Sequence, residues 1–112
     1  MDSDVKVYEK ILISLAESVA SRIDGVSYVG IPAKGLFGRP KRKRGVSVES
    51  IDGKLIYDVS ICIDNGCIVK DIAYEIQQRV KKEVEAATNF KVKRVNVNIV
   101  DVDTGDNLAY KQ

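Results

Sequence analysis

Between Asp52 and Ile63 the chain carries the pattern that most narrows its choice of fold. Asp52-Gly53 suits a two-residue hairpin turn, because both central positions of that turn need positive φ. From Lys54 to about Ile63, Leu55, Tyr57, Val59, Ile61 and Ile63 alternate with Ile56, Asp58, Ser60 and Cys62. A period of two is a strand, and one clean apolar row against a mostly polar one is a sheet covered on one side. Upstream, Val46, Val48 and Ile51 approximate the same alternation and supply the partner strand. The rest of the chain must therefore provide a layer that buries this row.

Two amphipathic helices provide it. The first runs from about Tyr8 to Ile23, with Ile11, Leu12, Leu15, Ala16, Val19, Ala20 and Ile23 at three- and four-residue steps. Val5 and Tyr8 also fit the stripe, so a start near Ser3-Asp4 is an equal reading, as is an extended entry through Val5-Lys6-Val7. Asp24-Gly25 stops the helix. The second runs from about Val69 to Thr88, with Val69, Ile72, Ala73, Ile76, Val80, Val84 and Ala87 on one face and Asn89 placed as a left-handed cap. A last strand follows, Val95, Val97 and Ile99 facing one way and Arg94, Asn96 and Asn98 the other. Val26–Ile31 reads either as a short strand or as an extended connection. The order is helix, strand, strand, helix, strand. It predicts an α+β two-layer sandwich: a three-stranded mixed sheet with two helices on one face. The crossover through the second helix makes the last strand parallel to the one the chain left.

At 112 residues the expectation is one domain spanning 1–112, with its core at about 5–102 and a frayed tail over 103–112. Pro32, Gly35, Gly38, Pro40 and Gly45 break regular structure, which predicts a flexible loop over 32–45. That loop concentrates the charge. Lys34, Arg39, Lys41, Arg42, Lys43 and Arg44 give it +6 in a chain whose total is +2, so the remaining residues sum to −4. These six are the candidate binding residues for an anionic partner, and Leu36 and Phe37 are candidates for apolar insertion beside them.

The residues argue against chemistry. There is no histidine, so nucleophilic triads lack their usual base and a zinc site would need carboxylates or backbone to complete it. Cys62 and Cys67 do not form a C-x-x-C pair and read as small core or surface thiols of a reducing compartment, with a disulfide as the minor alternative. Asp64, Asp101 and Asp103 lie near turns and chain ends, not in an apolar pocket. Gly35-Leu36-Phe37-Gly38 matches the G-x-x-G of nucleotide-clamping modules, but prolines flank it in place of the two helices such a module needs. The expectation is a protein with no catalytic residues, no metal and no cofactor. Met1-Asp2-Ser3-Asp4 lacks a secretory n-region, and no apolar run reaches the roughly 18–20 residues that span a bilayer. The predicted location is the cytoplasm, peripheral to the membrane through a partner.

Several short patterns recur in one order. Val5-Lys6-Val7 precedes the first helix, which ends in Ile23-Asp24-Gly25-Val26. Gly45-Val46-Ser47-Val48 opens one strand, and Tyr57-Asp58-Val59-Ser60-Ile61 forms the next. Gly66, Ile72, Ala73, Gln77 and Val80 mark the turn and second helix, and Val95-Asn96-Val97-Asn98-Ile99 closes the pattern. In order and spacing this resembles the bacterial alkaline shock protein, or envelope stress response, family over about residues 5–102. The basic run at 32–44 departs from that pattern. The resemblance implies a non-catalytic interaction or scaffold protein of cell-envelope stress homeostasis. It also implies docking to a membrane-anchored or envelope-related protein partner. Self-association, and weak contact of the basic loop with anionic lipid, are the other interactions expected. A small RNA-binding module using the basic loop is the alternative function.

Overall fold

The computed structural model describes residues 3–34 and 40–105, and at 3, 4, 33, 34 and 40–42 it describes the backbone alone. The elements run α1 (Ser3–Ser21), β1 (Val26–Val29), β2 (Ile31–Lys34), β3 (Pro40–Lys43), β4 (Val46–Ile51), β5 (Lys54–Asp64), α2 (Val69–Ala87) and β6 (Lys91–Asp103). The fold is α+β. Both helices pack on one face of a mixed sheet whose central strand is β5.

The sheet is three columns wide, and the outer column is split. Along one edge β5 pairs in parallel with β6, from Lys54↔Lys91 to Asp64↔Asp103. Along the other it pairs antiparallel with β4 (Val46↔Val59 to Ile51↔Lys54) and then with β1 (Val29↔Ile61, Val26↔Ile63). β1 and β4 therefore run in the same direction, end to end, as one interrupted strand. The segment between Val26 and Ile31, open between strand and connection in sequence terms, is thus a strand. At the far end of β4, Asp52 and Gly53 adopt φ of 54° and 78°, and Ile51 pairs with Lys54 across the expected two-residue turn.

The core forms where the apolar row of β5 meets the helices. Leu55, Tyr57, Val59, Ile61 and Ile63 are almost wholly buried against Leu12, Ala16, Val19 and Ala20 of α1 and Ile72, Ile76, Val80 and Val84 of α2. Each large aliphatic side chain here contributes roughly 1.5–3 kcal/mol on burial. Helix α1 begins at Ser3, the longer of the two readings. Its phase differs in two places: Tyr8 is 47% and Ile11 55% exposed, and Ile13 is buried instead. Ile11-Leu12-Ile13 spans about 200° of helix, so one of the three must face outward. The 12–16–19–23 stripe selects Ile11. Helix α2 ends without the left-handed Asn89 expected from sequence. Thr88, extended at φ −135°, closes it by donating from Oγ1 (2.8 Å) and N (3.0 Å) to the Val84 carbonyl.

Two polar contacts bind elements together. The buried Tyr57 hydroxyl donates to the Leu12 carbonyl at 2.9 Å, tying the central strand to α1, and burial pushes its phenol well above the ordinary tyrosine range. The Glu85 carboxylate accepts from the Val92 N–H at 2.7 Å. That bond, and then Lys81, holds its carboxyl below the usual carboxylate range.

Tyr57→Phe should leave the fold intact and cost about 1 kcal/mol, read from urea unfolding at constant slope. Glu85 has its folded pKa depressed, so its contribution is present above the unfolded value of about 4.3 and is lost as pH falls below it. Glu85→Gln should therefore flatten the acid limb of the stability profile, measured by unfolding between about pH 5 and 3. An unchanged limb would mean that this carboxylate has no part in it.

Candidate functional site: a basic hairpin ejected from a split strand

The outer column is interrupted opposite Ser60. There the Gly30 N–H donates to the Ser60 carbonyl (2.9 Å), and the Ser60 N–H donates to the Gly45 carbonyl (2.7 Å). Ser60 thus closes the ladder between β1 and β4, while the fourteen residues between Gly30 and Gly45 leave the sheet and return. Both glycines are required by geometry. Gly30 sits at φ 149°, and a Cβ on Gly45 would lie 2.5 Å from the Gly30 nitrogen. No side chain fits where the two backbones cross.

The ejected segment pairs with itself. β2 and β3 form a two-stranded antiparallel ribbon with Ile31↔Lys43, Pro32↔Arg42, Ala33↔Lys41 and Lys34↔Pro40 in register. This corrects the loop expected over 32–45. The prolines mislead because a proline is excluded only where its N–H would be needed. Pro32 and Pro40 fall in alternate pairs of the same set, whose N–H groups face outward in a two-stranded ribbon.

The ribbon also corrects the expectation of an uncovered second sheet face. β2 leaves the β1 edge yet approaches both β5 and β6, so it crosses β5 on the side away from the helices. Beneath that side Ser60 is 8% and Cys62 1% exposed, although both point away from the main core.

Of the candidate residues, Lys43 and Arg44 are exposed, and no ion pair joins them to another described residue. Lys34, Lys41 and Arg42 are placed on the ribbon by backbone register. Arg39, Leu36 and Phe37 lie outside the described residues. The backbone thus gathers Lys34, Lys41, Arg42, Lys43 and Arg44 onto or beside one small ribbon. The residues that sequence reasoning missed are Gly30, Gly45 and Ser60, which root the ribbon. Glycine at both ends of the broken segment was the available signal.

The remaining surface offers less. An open groove of about 340 Å³ lies between the end of α1 and the start of α2, lined by Arg22, Ile23, Asp24, Asp71, Ile72, Glu75 and Arg79. Its arginines are already paired: Arg22 with Glu83 at 3.2 Å, and Arg79 with Glu75 at 3.4 Å and Glu83 at 3.5 Å. Among the described residues no group of three or more Cys, Asp or Glu is placed to hold a metal, and no helix is long and apolar enough to cross a membrane.

The model of the alkaline shock protein 23 family, described as having a cell envelope-related function, matches residues 1–104. The chain belongs to this family. None of the curated proteins matches it at a significant level. Among solved structures, a doubly substituted MamM CTD is similar at 16% identity and TM-score 0.59, over 88% of this chain and 87% of that one. The copper form of the MamM CTD is similar at 17% identity and TM-score 0.55, over 90% and 93%. Its zinc form matches at 16% and 0.53, over 88% and 90%. At such identities the likeness shows the fold alone. Family membership thus carries the envelope connection.

Gly45→Ala should destabilise the domain by about 2 kcal/mol or more, since the clash is with backbone. Hydrogen exchange should then quicken at Ser60 and through β2–β3 before it quickens in α2. Uniform protection across the ribbon would contradict this account of its root.

Proposed function

We propose that the chain is a non-catalytic interaction module of the cell envelope, working on the cytoplasmic side of the membrane and meeting its partner through the basic ribbon. The observation that carries the reading is the contrast between two kinds of cation. Arg22 and Arg79 are paired with the protein's own acids, whereas Lys43 and Arg44 are exposed with no such pairing among the described residues. An anionic surface attracts the run of +6 and repels the body of −4, so the ribbon is the part of the chain that would meet such a surface.

The partner that fits is an acidic segment of a membrane-anchored protein, with anionic lipid adding to the contact. Near such a surface each basic residue contributes roughly 1 kcal/mol, so six, discounted for screening, give roughly 3–5 kcal/mol. Leu36 and Phe37, in the segment joining the two strands, would add apolar contact on the order of 2 kcal/mol. This is attachment that is reversible and sensitive to salt.

Combining Lys41→Gln, Arg42→Gln, Lys43→Gln and Arg44→Gln should lower co-sedimentation with phosphatidylglycerol vesicles on the order of a hundredfold at low salt. The same change should abolish recovery of the protein with membranes from cell lysate. If neither vesicle binding nor membrane recovery responds, the ribbon is not the contact. Salt-sensitive retention on RNA, with no retention on vesicles, would move the reading to nucleic acid.

A further inference from the structure

The second free edge of the sheet belongs to β6, and it is protected along only half its length. In the first half α2 overhangs it. Lys81 Nζ donates to the Val92 carbonyl (3.1 Å), Gln77 Nε2 donates to the Val95 carbonyl (3.1 Å), and Glu85 accepts from the Val92 N–H. These bonds identify the residues whose peptide groups turn outward. Against β5, bulges at Lys93 and Val100 bracket a regular stretch from Arg94 to Ile99. Alternation within that stretch turns the peptide groups of Val97 and Ile99 outward along with those of Val95. Among the described residues nothing bonds them. Along this stretch Val97 and Ile99 are half-buried with the uncharged Asn98 between them, and Val100 and Val102 are 38% and 40% exposed. A bare edge of this kind is a template for another strand.

We propose that this edge pairs antiparallel with β6 of a second copy of the chain, about a twofold axis at Asn98. Val97 of each copy then faces Ile99 of the other, and the two closed pairs form four backbone hydrogen bonds. The charge pattern selects this occupant. Lys91, Lys93 and Arg94 lie at the start of β6, Asp101 and Asp103 at its end, and Val95–Val100 between them carries no charge. Antiparallel self-pairing through Val97 and Ile99 brings the basic end of each copy near the acidic end of the other at both rims, beyond the four backbone bonds, where Gln77 and Lys81 already hold the β6 peptide groups. The opposite edge of the sheet lacks this property. β4 is shorter, and its one charged residue is Glu49, so self-pairing there brings no opposite charges together. The pairing uses no residue of the basic ribbon and stands apart from the function proposed for it.

Sedimentation velocity at low salt, across the micromolar range, tests this with Arg94→Glu and Asp101→Lys, both at exposed positions. Wild-type protein should dimerise. Each single variant sets like charges against each other at both rims and should dimerise about tenfold more weakly. Mixing the two variants should restore wild-type association. The glutamate introduced in one variant then meets the lysine introduced in the other at one rim, and Arg94 meets Asp101 at the second. Circular dichroism confirms that each variant is folded, and unchanged vesicle binding separates this edge from the ribbon. A wild-type chain that stays monomeric, or single variants whose association is unchanged or not rescued by mixing, would overturn the proposal.

Discussion

Strand β5 is in contact on all four sides, and the rest of the architecture follows from that. Its helix-facing row, Leu55 to Ile63, is the floor of the core. Its edges are taken by β6 and by the β1–β4 column, and its second face is covered by β2 where Ser60 and Cys62 lie. A strand so enclosed cannot leave backbone groups unpaired, since a buried orphan costs about 1–3 kcal/mol. Ser60 is where this demand is tightest. Its N–H and carbonyl must find partners although the edge strand is interrupted there, and the Gly30 and Gly45 backbones supply them. The break in the sheet and the exit of the basic segment are thus one device.

That device also separates two electrostatic regimes. On the helical surface acids and bases alternate at four-residue steps and neutralise one another, as with Glu75, Arg79 and Glu83. On the ribbon basic residues follow one another with no acid interleaved. Exposed ion pairs add little to stability. Their consequence here is that the arginines of the helical surface are matched by the protein's own acids.

Much of this was legible before any coordinates. The turn at Asp52-Gly53, the buried row of β5, the stripes of both helices and the parallel crossover to β6 each rest on a local period or on turn chemistry. What misread was also local in origin. Pro32 and Pro40 look like strand breakers, yet each needs only a position with an outward N–H. Ile11 fits the helical stripe, yet three consecutive apolar residues cannot all face one layer. The six basic residues of the candidate site were readable as a cluster. Their mounting was not, because it depends on two glycines and a serine that are ordinary as residues.

The order of residues alone determined the number of layers, the faces that meet and the sign and place of the charge, since helix and strand periods need no distant partner to be recognised. Only the tertiary structure decided that Val26–Val29 and Val46–Ile51 share one edge of β5, that the segment between them folds back as a ribbon, and that half of the β6 edge is left bare among the described residues. The first of these joins residues more than thirty positions apart, as Val29 to Ile61. Hydrogen bonds between backbones carry no residue type by which such a pairing could be read in advance.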